Sequence, residues 1–462
     1  MILSRIFNGY GEVGGQNFTV GGQGLTSWDL TRDNAGRITA KSESVDGVTS
    51  NYIYTYDPMG RLRTVTKDGT LVEEYQYDSV GTRIYEMNAP RGIAGRSMTY
   101  DDEDHLLTAG DSLYHYDADG YLTTRTVGAE APYEVTSYLY SSRGELLGVN
   151  LPDGRVIEYV HDPLGRRIAK KVDGVITEKY LWQGLTRLLA VYDGTGNLLM
   201  RFLYADGRMP VAMERGGALY YLTYDQVGTL RVVADSSGNV VKRIEYDSFG
   251  NILADTNPTL DVPFGFAGGL HDRDTGLVRF GFRDYDPDTS RWTAKDPILL
   301  GGGNTDLYGY CLNDPINLTD PTGLVNWSAV GKGAVAVVAG GLSVYGGALL
   351  SITGVGAVVG VPAVVGGSVS IGWGVSQIII GFTDNELNLP KPSAASLATL
   401  VATGGDVDRA CEVDLIVDSV LLGAKGGTMA GRVASNMELL DAGVGFVNTA
   451  IQSTSLYNSR KE

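Results

Sequence analysis

Residues 56–62 read YDPMGRL and residues 77–84 read YDSVGTRI, so an aromatic residue, an Asp, two variable residues and a Gly recur in one order. The pattern returns as YDADGYL at 116–122 and as HDPLGRRI at 161–168. Degenerate copies begin at Tyr100, which lacks the Gly, and at Tyr140, which lacks the Asp. Later copies begin at Tyr192, Tyr224 and Tyr246. Such self-similarity predicts a repeat architecture.

The spacing of the copies is typical of β-hairpins. Gly60 and Gly81 are 21 residues apart, as are Gly144 and Gly165, which suits two strands of roughly six to eight residues with their turns. Alternating runs such as VEEYQY at 72–77 lie between the copies. Within a copy, the Asp can accept hydrogen bonds from its own turn and the Gly can take a positive φ. We therefore expect a mainly β fold, with each Tyr packed inward and its hydroxyl bonded.

This series resembles the YD repeats of Rhs proteins, of the C subunits of insecticidal toxin complexes and of teneurins. The resemblance covers roughly residues 28–324. It implies that antiparallel hairpins wind in a spiral into a hollow β-shell.

Residues 219–324 add a second, more specific resemblance. They contain YDQVGTLR at 224–231, YDSFG at 246–250, RDYDP at 283–287, DP at 296–297, LYGY at 307–310 and DPTGL at 320–324. This order is similar to the Rhs repeat-associated core, which closes the shell. We therefore divide the chain into a shell at 1–218, a core at 219–324, an apolar segment at 325–383 and a variable tail at 384–462.

The resemblance also implies that the core cuts its own chain after the last Gly-Leu, between Leu324 and Val325. Peptide hydrolysis by carboxylates needs two of them acting together, one on water and one on the carbonyl or leaving group. Asp296 and Asp320 stand at the positions of this aspartyl dyad. Arg283 is the matching basic residue, suited to hold a carboxylate or polarise a carbonyl. Asp284 departs from the family pattern, which often has Tyr there. We interpret Asp286, Asp306 and Asp314 as turn formers.

Composition narrows the remaining function classes. The 462 residues carry a net charge of −17, which argues against nucleic-acid binding through a general basic surface. Cys311 and Cys411 are the two cysteines and predict neither a disulfide framework nor a zinc site. No metal or cofactor is expected. Residues 1–5 lack the apolar region of a secretory signal.

The repeats stop at Val325, and residues 333–383 contain no Asp, Glu, Lys or Arg. That length holds two apolar segments of about 20 residues, broken near Pro362, with small residues at Gly356 and Gly360 in helix-packing spacing. Two interpretations stay open: a membrane-inserting hairpin, or a Gly/Ala-rich hairpin or filling held inside the shell. Residues 384–462 predict further helices, so the whole tail is expected to be mostly α-helical.

The resemblance implies that the tail is a toxin effector of interbacterial competition, held in the shell until delivery to a target cell. A membrane-active effector is the first interpretation. An all-α enzymatic toxin with a translocation hairpin is the second, and a structural or adhesive surface repeat protein is the third. The resemblance further implies a cognate immunity protein and a type VI-like or toxin-complex-like delivery machinery. The membrane of the target cell is a further expected partner.

Overall fold

A computed structural model describes residues 1–9, 11–205, 207–302 and 305–324. These residues belong to one compact unit, Met1–Ser328. The predicted helical tail and its apolar hairpin, residues 325–462, lie outside the described residues. Among the residues that are described, no helix has the length and hydropathy needed to cross a bilayer.

The unit is built mainly from one sheet of 24 strands, which confirms the predicted mainly β fold. The strands of this sheet are β1 (Ile2–Phe7), β2 (Val13–Val20), β3 (Gln23–Arg32), β4 (Ile38–Val45), β5 (Val48–Tyr56), β6 (Leu62–Lys67), β7 (Thr70–Tyr77), β8 (Arg83–Asn88), β9 (Ile93–Tyr100), β10 (Leu106–Ala109), β11 (Ser112–Tyr116), β12 (Leu122–Val127), β13 (Glu134–Tyr140), β14 (Leu146–Asn150), β15 (Val156–His161), β16 (Arg167–Val172), β17 (Val175–Gln183), β18 (Arg187–Tyr192), β19 (Leu198–Leu203), β20 (Ala212–Arg215), β21 (Ala218–Tyr224), β22 (Leu230–Asp235), β23 (Val240–Tyr246) and β24 (Ile252–Asp255).

Every strand of this sheet pairs antiparallel with the next one in sequence, from β1 through β24. The sheet is thus a continuous strip of hairpins, as the repeat spacing predicts. It runs through residue 218 without a break because β20 pairs with β21.

A second sheet of four short strands follows: β25 (Leu270–His271), β26 (Val278–Phe280), β27 (Arg283–Asp286) and β28 (Arg291–Trp292). Four 3-10 turns complete the described elements: Ala89–Arg91, Phe266–Gly268, Leu299–Gly302 and Cys311–Asn313. The small sheet and its loops surround a buried aromatic cluster that includes Phe280, Tyr285, Trp292 and Tyr310. Rings that pack edge to face in this way contribute beyond their buried area.

The repeat turns have the chemistry that the sequence predicts. In the first clear copy, Asp57 Oδ1 accepts hydrogen bonds from the backbone N–H of Met59 at 2.9 Å and of Arg61 at 3.0 Å. Gly60 takes a φ of 89° and its N–H donates to the Asp57 carbonyl. The turn therefore satisfies its own polar groups, and Gly meets the positive φ without strain.

Several repeat tyrosines also bond to the preceding copy. Tyr77 lies against the strip, and its hydroxyl donates to the backbone carbonyl of Leu62 at 2.7 Å. Equivalent bonds of the same kind run from Tyr56 to Ile38, from Tyr100 to Arg83, from Tyr204 to Leu188 and, with an indole donor, from Trp182 to Arg167. For these tyrosines the predicted inward packing with a bonded hydroxyl is confirmed, and the bonds join neighbouring copies in register.

The beginning of the strip contacts its end. The indole of Trp28 in β3 donates to the Tyr224 carbonyl in β21 at 3.3 Å. Arg231 in β22 forms a buried ion pair of 2.9 Å with Glu43 in β4. The strip therefore closes on itself through side chains about 190 residues apart in sequence.

Residues 264–302 and 305–324, here called the crossing segment, run along the edge of the strip that carries the repeat turns. Four of its side chains donate to the backbone carbonyl of the residue at the Gly position of a turn. These pairs are Asn313 with Gly81, Arg291 with Asp104, Tyr308 with Gly120 and Arg279 with Gly165. The segment is thus fixed to successive repeats rather than to one of them.

A buried pair of acids lies where the strip meets its own end. Glu73 in β7 accepts hydrogen bonds from the Tyr75 hydroxyl at 2.9 Å and from the Ser248 N–H at 3.2 Å. Burial, and secondly the charge of Asp247, raise the pKa of Glu73 to about 7. A carboxyl group with a raised folded-state pKa stabilises the protein less as pH rises from its ordinary value of 4.5 to about 7.

The substitution Glu73→Gln should therefore remove this loss of folding stability with rising pH. The amide keeps acceptor and donor atoms near Tyr75 and Ser248 but carries no charge. Below pH about 4 the variant and the wild type should unfold alike, and above pH about 7 the variant should be more stable by on the order of 2 kcal/mol. Urea unfolding across this pH range measures the effect. Glu74→Gln, on the other face of β7, is the control, and a parallel pH dependence of the wild type and Glu73→Gln would contradict the prediction.

Candidate functional site

Three charged side chains singled out from sequence lie together in the crossing segment. Arg283 belongs to β27, Asp296 follows β28, and Asp320 precedes the last described residues. Arg283 Nη2 is 2.9 Å from Asp296 Oδ2 and 3.6 Å from Asp320 Oδ2. The three side chains are almost completely buried. One guanidinium nitrogen therefore faces both carboxylates.

Packing and backbone carbonyls fix the position of Arg283. Its guanidinium lies over the Trp292 ring, 4.3 Å from the ring centre. Its Nε donates to the backbone carbonyl of Gly323, and its Nη1 donates to that of Leu307 at 3.2 Å. The arginine thus holds the carbonyl that immediately precedes Leu324.

Each carboxylate uses its two oxygens differently. Asp296 Oδ1 accepts the Ile298 N–H at 3.0 Å, and Asp320 Oδ1 accepts the N–H groups of Gly323 at 2.7 Å and Leu324 at 3.1 Å. These are turn contacts of the Asp-Pro type, whereas each Oδ2 faces Arg283. A turn function and a paired function therefore coexist in both residues.

Burial sets the electrostatics of this group. Burial raises the pKa of Asp296, and the charge of Asp320 adds to the rise while Arg283 opposes it. Burial also lowers the pKa of Arg283, although the charges of the two carboxylates raise it. A carboxyl group with a raised pKa beside a charged partner is suited to exchange protons, which general acid–base chemistry requires. Because the two acids interact, proton uptake belongs to the pair.

The predicted cleavage position follows this group directly. Leu324 is the last described residue, is 6% exposed, and has its N–H held by Asp320. Val325 lies outside the described residues. Asp320 and Arg283 therefore contact the backbone that immediately precedes the Leu324–Val325 peptide bond, and Asp296 is joined to it through Arg283.

The sequence reasoning missed the backbone contact that holds this loop. Phe282 N–H donates to the Thr322 carbonyl at 2.9 Å. Gly281 has a φ of 46°, and a Cβ there would be 2.4 Å from the Thr322 carbonyl oxygen. Gly323 has a φ of 74°, and its Cβ would be 2.7 Å from the Phe280 carbonyl oxygen. The Gly in the FGF run at 280–282 was the available signal.

Gly281→Ala should displace the loop and slow the self-cleavage predicted from the sequence about tenfold to hundredfold, because misplacement by about 1 Å is enough for such losses. Fragment appearance on a denaturing gel over time measures the rate. Gly276→Ala is the matched control: Gly276 also has a positive φ, of 74°, but a Cβ there meets nothing within 4 Å. Equal slowing in both variants would assign the effect to backbone strain and not to the Thr322 contact.

Other carboxylates of the segment have different partners. Asp284 is bonded to Arg167 at 2.8 Å and to Arg279 at 2.7 Å. Asp286 and Asp306 each accept the N–H two residues ahead, at 3.0 Å, as turn formers do. Both Asp314 carboxylate oxygens accept hydrogen bonds from the Asn317 amide, and burial raises the pKa of Asp314 to about 6.

Metal-ligating residues do not converge within the described part of the chain, where no three His, Cys, Asp or Glu side chains are arranged to hold an ion. Cys311 is a free, buried thiol, and burial raises its pKa well above the ordinary value. Cys411 lies in the tail, outside the described residues.

Comparison with known proteins places this arrangement in a family context. Residues 1–315 match the family model of the Teneurin YD-shell. The chain is 33% identical over 302 residues to Teneurin-3 of Danio rerio, a match that covers 62% of this chain and 11% of that protein. It is 31% identical over 337 residues to the Double-stranded DNA deaminase toxin A of Burkholderia cenocepacia (strain H111), with 65% of this chain and 22% of that protein covered.

The chain thus spans about a tenth to a fifth of the length of these curated relatives. Among solved structures, the crystal structure of TcdB2-TccC3-TEV is similar over 70% of this chain and 20% of that chain, at 19% identity and a TM-score of 0.40.

Proposed function

The chain belongs to the Rhs/YD-shell family, and from this premise we propose that residues 1–324 form a toxin-type shell that cuts its own chain after Leu324. The family model matches residues 1–315, and one relative is named as a toxin. The observation that carries the proposal is the position of Arg283, which contacts Asp296, Asp320 and the Gly323 carbonyl at once.

In the proposed reaction, the acid pair acts as a unit on the Leu324–Val325 peptide bond. One carboxylate takes a proton from water as the water attacks the Leu324 carbonyl carbon, and the other supplies a proton to the carbonyl oxygen or the leaving amine. Arg283 supports the pair by keeping one negative charge stable in a buried site. Asp320 also holds the Leu324 N–H, which positions the bond that is cut.

Purification of the full chain tests this step. We expect two fragments on a denaturing gel, residues 1–324 and 325–462, and mass spectrometry should show Val325 as the new N-terminus. A chain that stays intact in every preparation, or that is cut elsewhere, would overturn the proposal.

For the tail we propose a membrane-active effector, kept from membranes until release. Its support is the charge-free run of residues 333–383, long enough for two membrane segments. The test is leakage of dye from liposomes, with the wild-type chain compared with uncut Asp320→Asn. Leakage by the cut chain alone supports the proposal, whereas no leakage by either contradicts it.

A second candidate is an enzymatic effector, which the relative named Double-stranded DNA deaminase toxin A favours. Inducible expression in a bacterium with a membrane-potential dye separates the two candidates. Growth arrest with an intact potential points to the enzyme, and prompt loss of potential points to the membrane. Absence of both cleavage and toxicity favours the structural or adhesive surface protein.

Membership of the family is the only support for two proposed partners of this chain. A cognate immunity protein would protect the producing cell, and a delivery machinery would carry the shell to its target. Both are proposals, as are the domain boundaries at 218 and 383.

A further inference from the structure

A cavity lined by four arginines lies beside the loop that contains Asp320 and Pro321. It encloses about 430 Å³ of empty space including its mouth. The lining comprises two walls, one of strip residues and one of crossing-segment residues that includes Gly281 and Pro321, the residue after Asp320. The four arginines are Arg166, Arg167, Arg208 and Arg279.

The cavity holds more positive than negative charge. Arg166 pairs with Asp162 at 2.6 Å, while Arg167 and Arg279 share the single carboxylate of Asp284. The next carboxylate that acts on Arg279 is Glu145, which is itself paired with Arg143, and the next that acts on Arg167 is Asp272, which is paired with Lys170. Four guanidinium groups therefore face two carboxylates in their direct contacts.

Arg208 is the arginine of the cavity that forms no ion pair with a carboxylate among the described residues. Among the described residues its contacts are with backbone carbonyls, those of Ala267 at 2.7 Å and Gly268 at 3.2 Å. The groups that act on its pKa besides burial are tyrosines. Arg208 is half-buried and is held by two carbonyls without a carboxylate among the described residues, so an anion that enters from solvent can balance its charge.

The lining also contains two unsatisfied buried donors, a feature that the described structure also has outside the cavity, for example at Arg83 and Arg291. Arg167 and Arg279 are 2% and 4% exposed, and the Nε–H of each has no hydrogen-bond acceptor in the described structure. Buried donors of this kind are costly when unsatisfied. The pKa of the neighbouring His161 shows the effect of this positive charge. Burial and then the charges of Arg279 and Arg167 lower it to about 3.

We propose that this cavity binds one small oxyanion of carboxylate size. Guanidinium groups recognise carboxylates through paired N–H donors, which fits the ligand class. The space open to the centre of a water molecule is about 20 Å³, which limits the ligand to one or two water-sized groups. A bound anion would bridge Arg208 of the strip to the crossing segment at Pro321. The proposal does not depend on self-cleavage.

The test is a titration of the full chain with sodium formate at constant ionic strength, balanced with sodium HEPES, whose anion is much larger than formate. We expect calorimetric binding of one formate, with a saturable rise in unfolding temperature. Arg208→Gln, which keeps an amide donor for the Ala267 carbonyl, should weaken half-saturation at least tenfold. Arg208→Lys, which keeps the charge but loses the paired donors, should weaken half-saturation less than Arg208→Gln does.

Arg187→Gln is the matched control, since Arg187 also donates to a backbone carbonyl, that of Gly207, but lies outside the cavity. It should bind formate as the wild type does. Absence of saturable formate binding by the wild type overturns the proposal whether or not a variant folds, and identifies a cavity that holds only water. Equal binding by Arg208→Gln overturns it as well.

Discussion

Asp320→Asn should leave the full chain as one band on a denaturing gel under conditions in which the wild type is completely cut, a loss of at least about 100-fold. The amide oxygen can still accept the N–H groups of Gly323 and Leu324, so the turn survives. The charge on Oδ2 that faces Arg283 is lost, and with it the capacity to take up a proton. Asp296→Asn should give the same result, because the two acids act as a pair.

A control substitution at another turn aspartate separates loss of catalysis from loss of a turn. Asp235 also forms a turn, with Oδ1 accepting the N–H groups of Ser237 and Asn239 at 2.9 Å, but the ion pairs of Arg283 are with Asp296 and Asp320. Asp235→Asn should be cut at the wild-type rate. Unfolding midpoints of all three variants check that the fold is intact. Undiminished cleavage in Asp320→Asn, or its loss in Asp235→Asn, would contradict the assigned function.

Local structure followed from the sequence because local chemistry specifies it. Asp and Gly at fixed offsets satisfy a turn within five residues, so neither needs a distant partner. The degenerate copies show that the turns form even where the Asp or the Gly is replaced. Asp104 takes a φ of 62° where Gly is absent, and Ser141 Oγ accepts the N–H groups of Arg143 and Glu145 where Asp is absent. The turns persist because short polar side chains supply the same bonds.

Contacts across the strip could not be predicted in this way. Asp288 pairs with Arg91, Arg96 and Arg125, although about 160 to 200 residues separate them in sequence. No local pattern distinguishes these arginines from exposed ones. The proximity of Arg283, Asp296 and Asp320 was expected from family resemblance alone, and the Gly281 contact with Thr322 became visible only with the backbone in place.

Asp284→Asn should produce the largest loss of stability, about 3–5 kcal/mol, because it removes one partner of a buried charge network. The side chains of Asp284, Arg167 and Arg279 are 1%, 2% and 3% exposed. An amide in place of the carboxylate leaves two guanidinium groups buried without a counter-charge. Urea unfolding at neutral pH measures the shift. The exposed pair of Asp153 with Arg155 gives the control, and Asp153→Asn should leave the midpoint unchanged.

The pH dependence of this loss follows from the sign of the pKa shift. Burial opposes ionisation of Asp284, but Arg167 and Arg279 outweigh it, so its pKa lies below the ordinary value. A carboxylate with a lowered folded-state pKa contributes stability above its unfolded-state pKa and loses it as pH falls through the folded-state value. The gap between wild type and Asp284→Asn should therefore narrow in acid. A gap that stays constant would show that packing, not charge, causes the loss.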